Sequence, residues 1–253
     1  MRIFALSDIH VDYAENADWL SKLSLNDYQQ DALILAGDVC ESFSGTLSCL
    51  ELLKNKFRYV FFVPGNHDLW LEKGGSENSI EKFDKLIQSA QAMDVITQRC
   101  SIGEYLFVPL WSWYDYSFGP LTDYLKLAWM DFNRCRWPSE LASAADISEY
   151  FLAQNAIEPV EGSYQVISFS HFLPRIDVMP DFIPMARRNI YPVLGSASVD
   201  LQVRQLGSST HIYGHSHVNR DVVIDGVRYI NNAFAYPSES RIARKRLFNI
   251  LPD

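Results

Sequence analysis

The stretch Tyr59-Val60-Phe61-Phe62-Val63-Pro64-Gly65-Asn66-His67-Asp68 carries the reading of the chain. Its first five residues are apolar and mostly β-branched or aromatic, and a Pro-Gly pair stops them. So short a run with such an end reads as a strand buried on both faces. Beyond the stop lies a cluster of turn formers and metal-ligand types, Gly65-Asn66-His67-Asp68. The pattern recurs four times more. Residues 2–6 run into Asp8-Ile9-His10, residues 32–36 into Gly37-Asp38, residues 166–169 into Ser170-His171, and residues 211–213 into Gly214-His215-Ser216-His217. Open α/β sheets bind ligands beyond the carboxyl ends of their strands. Five strands that end in Asp, Asn or His therefore predict one shared metal site. Five of the six histidines lie in these clusters, which is the main reason to place the chemistry there.

Between the runs the chain alternates strand and helix, which implies a parallel sheet with crossover helices. Helices are expected over residues 15–23, 44–55 and 77–92, the second with Leu47, Leu50 and Leu53 on one face. Ser76 or Asn78 suits the N-cap of the third. Short strands are expected at 95–97 and 105–109, and a polar helix over 139–155. The four prolines within 172–198 make that segment an irregular loop over the site. A short helix is expected at 199–206, a hairpin at 222–224 and 227–230 around Asp225-Gly226, and a final strand at 247–250. Because the clusters span positions 8 to 217, a single domain over 1–253 is expected, with an aromatic-rich insertion around 110–138.

A hydrophobic fraction of 48% is ample for a large core. The formal net charge of -9 argues against non-specific binding to nucleic acid or to an anionic membrane. No apolar run approaches the roughly 18–20 residues that span a bilayer. A cleaved leader would remove Asp8 and His10, so a cytoplasmic location is expected. Cys40, Cys49, Cys100 and Cys135 show no paired or zinc-binding spacing and are expected to be reduced.

The ordered motifs Asp8-Ile9-His10, Gly37-Asp38, Gly65-Asn66-His67-Asp68, His171 and Gly214-His215-Ser216-His217 resemble the calcineurin-like metallophosphoesterase superfamily. The resemblance covers most of the chain. It implies an α/β fold, a four-layer α/β/β/α sandwich with mixed sheets and helices outside, and two metals at the strand ends. One metal would be held by Asp8, His10 and His217, the other by Asn66, His171 and His215, with Asp38 bridging both. Imidazole mixed with carboxylate suits Mn first, with Fe or Zn as alternatives, over Ca or Mg. Two divalent cations bring about +4, and two Asp with a bridging hydroxide remove about 3, leaving a site attractive to phosphate. The bridging hydroxide would attack phosphorus in line. His67 binds no metal in the family and is the candidate to protonate the leaving oxygen or stabilise it by a hydrogen bond, with Asp68 expected to fix its tautomer and orientation.

The protein Ser/Thr phosphatases of the superfamily continue the second motif into an acidic residue and an Arg that clamps phosphate. Here Asp38 is followed by Val39, Cys40, Glu41 and Ser42, so the Arg is missing and that branch is disfavoured. Arg175 is the first candidate to replace it, then Arg187 and Arg188. In the aromatic stretch, Trp111, Trp113 and Tyr114 follow a strand end directly and could stack on substrate, although core packing is the commoner role of such residues. The expected activity is metal-dependent hydrolysis of a small-molecule or nucleotide-like phosphomonoester or phosphodiester. A catalytically silent scaffold on the same fold, binding protein partners, is the alternative. Long nucleic acids are disfavoured by the acidic charge. Oligomeric state is left open.

Overall fold

The structure, a computed structural model, describes residues 1–251; Pro252 and Asp253, the end of the expected 1–253 span, lie outside the described residues. Its centre is two mixed sheets packed face to face. The first holds β1 (Ile3–Leu6), β2 (Ala32–Ala36) and β3 (Tyr59–Val63) in parallel, with β10 (Phe248–Asn249) antiparallel on the edge of β1. The second has the order β4-β5-β6-β7-β9-β8, from β4 (Cys100–Ile102), β5 (Tyr105–Pro109), β6 (Gln165–Phe169), β7 (Thr210–Tyr213), β8 (Arg220–Ile224) and β9 (Val227–Asn231). There β5, β6, β7 and β9 are parallel, while β4 and β8 are antiparallel hairpin edges.

The two-residue period of a strand explains the layers. Ile3, Ala5, Ile34, Phe61 and Val63 point inward and meet Phe107, Ile167, Phe169, Ile212 and Ile230 from the second sheet. Their neighbours Phe4, Leu6, Leu33, Leu35 and Phe62 point outward and are covered by Leu20, Leu50, Leu53, Leu86 and Ala90. Those residues come from α1 (Ala14–Ser21), α2 (Phe43–Lys54) and α3 (Ser79–Ala92). On the far side α7 (Ala197–Gln205) lays Val199 and Val203 on Leu106, Val108, Val166 and Tyr229. This is the expected α/β/β/α sandwich.

A fourth cluster joins the aromatic insertion to the domain. It packs Trp113, Tyr114, Leu125 and Cys135 against Leu69, Trp70, Ile80 and Phe83, and against Ile147 and Phe151 of α6 (Ala144–Leu152). The insertion contains α4 (Asp123–Ala128) and α5 (Asp131–Arg134). Backbone bonds from Leu71 N to Arg134 O (2.8 Å) and from Ser79 N to Arg136 O (2.8 Å) fasten it beside the third motif.

Several boundaries differ from the sequence reading. The expected strand at 95–97 is a single bridge, Phe61 to Ile96, and the real edge strand β4 follows it. The helix expected over 139–155 begins only at Ala144, where Ser143 and Asp146 form a capping box. Asn78 caps α3 in the same way. The 172–198 loop holds two 3-10 segments, Ile176–Val178 and Met185–Val193. All four cysteines are free thiols. No helix among the described residues is long and apolar enough to cross a membrane.

Candidate metal centre

The carboxyl ends of both sheets open on one point. Asp8, His10, Asp38 and His217 each present one donor atom within 4.8 Å of the others, and so do Asp38, His171 and His215. Asp38 belongs to both groups. Asn66 joins the second, with its Oδ1 3.1 Å from His171 Nε2. The turns that deliver these side chains are tight. Asp8, His10, Asp38, His215 and His217 all have φ between 39° and 67°, the left-handed region that few non-glycine residues occupy. Such strain persists only where the surroundings over-determine it, and it concentrates at functional sites. Gly37 shows the crowding: it has φ 81°, and a Cβ on it would sit 2.5 Å from His171 Nδ1.

Ring nitrogens face one another across the centre. His10 Nε2 and His217 Nε2 are 3.3 Å apart, and His171 Nε2 and His215 Nδ1 are 3.1 Å apart. Donors about 2.1 Å from a common cation are spaced by roughly 3.0–3.4 Å, so these are the edges a coordination shell would have. The outer nitrogens are committed elsewhere. His171 Nδ1 lies 2.9 Å from Ala36 O, His215 Nε2 lies 3.0 Å from Val193 O, and His217 Nδ1 lies 2.7 Å from Glu239 Oε2. Each partner accepts a hydrogen bond from the outer N–H and, in the neutral ring, leaves the lone pair of the other nitrogen turned into the site, as the outer partners of metal-bound histidines do. The residues present fit two divalent cations.

A sequence model of calcineurin-like phosphoesterases matches residues 1–219. The chain belongs to this family. It is accordingly a hydrolase of phosphate esters, from a family that uses divalent metals. One curated relative is the [acyl-carrier-protein] phosphodiesterase PptH of Mycobacterium tuberculosis, 26% identical over 279 residues, which cover 99% of this chain and 83% of that protein. The crystal structure of the phosphopantetheinyl hydrolase PptH from Mycobacterium tuberculosis superimposes with a TM-score of 0.79 at 25% identity, covering 100% of this chain and 96% of that one. Another solved structure, 12% identical, matches with a TM-score of 0.53 over 99% of each chain and shares the fold.

As a phosphoesterase, the chain departs from the sequence reading at several side chains. The Asp68 carboxylate makes no hydrogen bond to the His67 ring. Its carboxylate accepts the backbone N–H of Asp38 (2.9 Å), Val39 (3.0 Å), Cys40 (3.2 Å) and Gly65 (2.8 Å), so it braces the turns on either side of Asp38. The carboxylates near His67 are Asp38, with Oδ2 4.0 Å from Nε2, and Glu41, with Oε1 3.9 Å from Nδ1; Arg134 holds Glu41 at 3.0 Å. His67 stacks on Trp70 with ring centroids 3.6 Å apart, and its Nε2 lies 3.3 Å from the Tyr236 hydroxyl. Asp38 uses one oxygen toward both groups rather than two. Oδ1 accepts the His67 N–H at 2.9 Å, and Oδ2 faces His10 (4.0 Å) and His171 (3.4 Å).

Arg175 is not at the site. It pairs with Asp177 (2.5 Å), Asp225 (3.1 Å) and Asp200 (3.6 Å), reaching toward the β8–β9 turn at the far end of β9. Arg175→Ala is therefore expected to leave kcat and KM unchanged. With two of its carboxylate partners more than half exposed, its loss should cost about 1 kcal/mol of stability. A rise in KM for a phosphate ester would contradict this placement. Arg188 donates to the carbonyls of Ile183 and Asp181, and Arg187 is exposed; neither lines the central cavity. Trp113 and Tyr114 are core residues, 1% and 2% exposed, and Trp111 packs edge-on to Phe83. The aromatic walls of the cavity are instead Trp70, Trp129 and Tyr236, which carry no motif spacing.

Charge is divided among the histidines. Burial pushes His10 down to about 4 and His215 to about 3, so both are neutral. Burial also opposes the charged form of His171 and His217, but Asp38 holds His171 at about 9 and Asp8, helped by Glu239, holds His217 at about 10. In the metal-free protein both are protonated near neutrality, and a metal must displace those protons. Metal affinity is therefore expected to rise with pH across about 6.5–8.5, with protons released on loading. Titrations in buffers of different ionisation enthalpy measure both, and equal affinity at the two ends would contradict the assignment.

Proposed function

We propose that the chain hydrolyses a phosphodiester with an uncharged, flexible arm, carried by a protein, at a site that holds two divalent cations. Asp8, His10, Asp38 and His217 would hold one cation, and Asp38, Asn66, His171 and His215 the other. The metals when bound supply Lewis acidity and a hydroxide nucleophile at neutral pH. Manganese leads among the candidates, with iron or zinc next, because the donors mix imidazole and carboxylate. One domain spanning the sandwich and the 110–138 insertion completes the site.

The carrying observation is the wall of the cavity. Its volume is about 280 Å³, and Trp70, Ala128, Trp129, Met130, Ile190 and Tyr236 form its sides. Among the described residues, no Lys or Arg lines it. A phosphomonoester dianion would leave oxygens unclamped there, whereas a diester carries a single charge that the two cations match. Apolar walls suit a neutral arm passing through. Met130, 46% exposed, lines the cavity, and Leu127, 84% exposed, directly precedes the lining residue Ala128, which suits a substrate borne on a macromolecule. The relative named as an acyl-carrier-protein phosphodiesterase supports the same reading.

The chain's own side chains would divide the work. Asp38 Oδ2 holds the two donor groups together, and Asp8 closes the turn of His215 by accepting its N–H at 2.9 Å. His67, supported on Trp70, would carry a proton on Nε2 toward the leaving oxygen. Burial keeps the Tyr236 phenol high and hence protonated, so it can donate to the same oxygen. The test is incubation of metal-loaded protein with a phosphopantetheinylated carrier protein, read by mass spectrometry. Loss of the prosthetic arm, leaving the serine hydroxyl, is expected. An intact carrier alongside rapid p-nitrophenyl phosphate turnover would contradict the reading.

A further inference from the structure

Asp131 stands at the start of α5 in the aromatic insertion, 3% exposed, and none of the strand-end motifs contains it. Its carboxylate collects three N–H donors. Oδ1 accepts from Asn66 Nδ2 at 2.8 Å and from Trp70 Nε1 at 2.6 Å, and Oδ2 accepts from Trp129 Nε1 at 2.7 Å. Each donor serves a different part of the site. Asn66 turns Oδ1 toward His171 and the second donor group. Trp70 is the platform under His67, and Trp129 walls the cavity edge-on to His215, with centroids 5.7 Å apart. Burial pushes the Asp131 carboxyl up, while its hydrogen bonds to Asn66, Trp70 and Trp129 favour the ionised form.

A carboxylate can only accept, so Asp131 decides which end of the Asn66 amide faces the site. With the NH₂ bound to Asp131, the carbonyl oxygen must point inward. Turned over, Asn66 would aim its NH₂ at a cation. We propose that Asp131 is a positioning residue through which the insertion orients Asn66 for the second cation and fixes the Trp70 and Trp129 walls around it. The insertion thereby contributes to metal binding as well as to the shape of the mouth. The inference rests on the two-cation reading above.

The test is isothermal titration of Mn²⁺ into metal-free protein. Wild type is expected to bind two equivalents per chain. Asp131→Ala removes every acceptor for the Asn66 NH₂ and lets the amide turn over. One equivalent should keep its affinity and the other weaken by about 10- to 100-fold, the usual cost of losing an outer partner. Leu125→Ala, a buried truncation in the same insertion, should lower Tm and keep both equivalents. Asp131→Leu, which also removes every acceptor but refills the space, is titrated in parallel, to cover failure of Asp131→Ala to fold. Two equivalents of wild-type affinity in either Asp131 variant would overturn the proposal and leave Asp131 a packing residue. A wild type that binds only one equivalent would instead overturn the two-cation reading, and this inference with it.

Discussion

Asp38→Asn is expected to lower kcat on a phosphodiester by about 10³-fold or more, and to empty both metal positions. Asp38 is the carboxylate shared by the two donor groups. An amide keeps its shape and can still accept the His67 N–H, but it presents no anionic oxygen to either group. Each cation is asked for several kcal/mol of transition-state stabilisation, and about 4 kcal/mol corresponds to about 10³ in rate. The substitution also removes the charge that holds His171 protonated in the metal-free protein. Elemental analysis and initial rates measure the two effects together. A variant that retains two metals per chain with a rate within tenfold of wild type would show that Asp38 is not the shared ligand.

The second large effect is expected at His67. His67→Gln should lower kcat by about 10²- to 10⁴-fold, the range for loss of a general acid. Metal content should be unchanged, because His67 lies in neither donor group. The loss should depend on the leaving group. An alkoxide needs its proton in the transition state, whereas p-nitrophenolate departs largely unaided. The ratio of wild-type to variant rates should therefore be much larger for an alkyl diester than for bis-p-nitrophenyl phosphate. Equal losses on both substrates, or lost metal, would assign His67 a structural role. Asp38 Oδ2, 4.0 Å from Nε2, and Glu41, 3.9 Å from Nδ1, are the carboxylates on either side of the ring.

The motif residues were legible in sequence because a parallel strand has one direction and its end has one place to go. Once residues 2–6, 32–36, 59–63, 166–169 and 211–213 read as strands, the residues after them had to converge. The two-residue period likewise told which side chains enter the middle layer. Side chains that reach the site across long separations carried no such signal. Asp131 meets Asn66 over 65 positions and Tyr236 meets His67 over 169, with no spacing to announce either pair. Glu239 is 22 residues beyond His217, at the end of the 3-10 turn Pro237–Glu239. Arg175 misled for a related reason. Nearness to His171 in the chain says nothing about where a long side chain finds its counter-ions, and three aspartates outside the site claim it. The aromatic insertion shows the same limit. Trp113 and Trp129 are alike as sequence, but only the tertiary packing puts the first in the core and the second on the cavity wall. Asp68 stands next to His67 in its motif, yet its four backbone donors make it a brace for the Asp38 turn rather than a hydrogen-bond partner of His67.

Everything proposed for the site depends on one carboxylate holding two cations between the ends of the two sheets. Anomalous diffraction from crystals grown with Mn²⁺ would locate those cations outright. Two peaks are expected, one among Asp8, His10 and His217 and one among Asn66, His171 and His215, with Asp38 Oδ2 touching both. A single peak, or a pair that leaves Asp38 outside the coordination of either, would contradict the shared-carboxylate site.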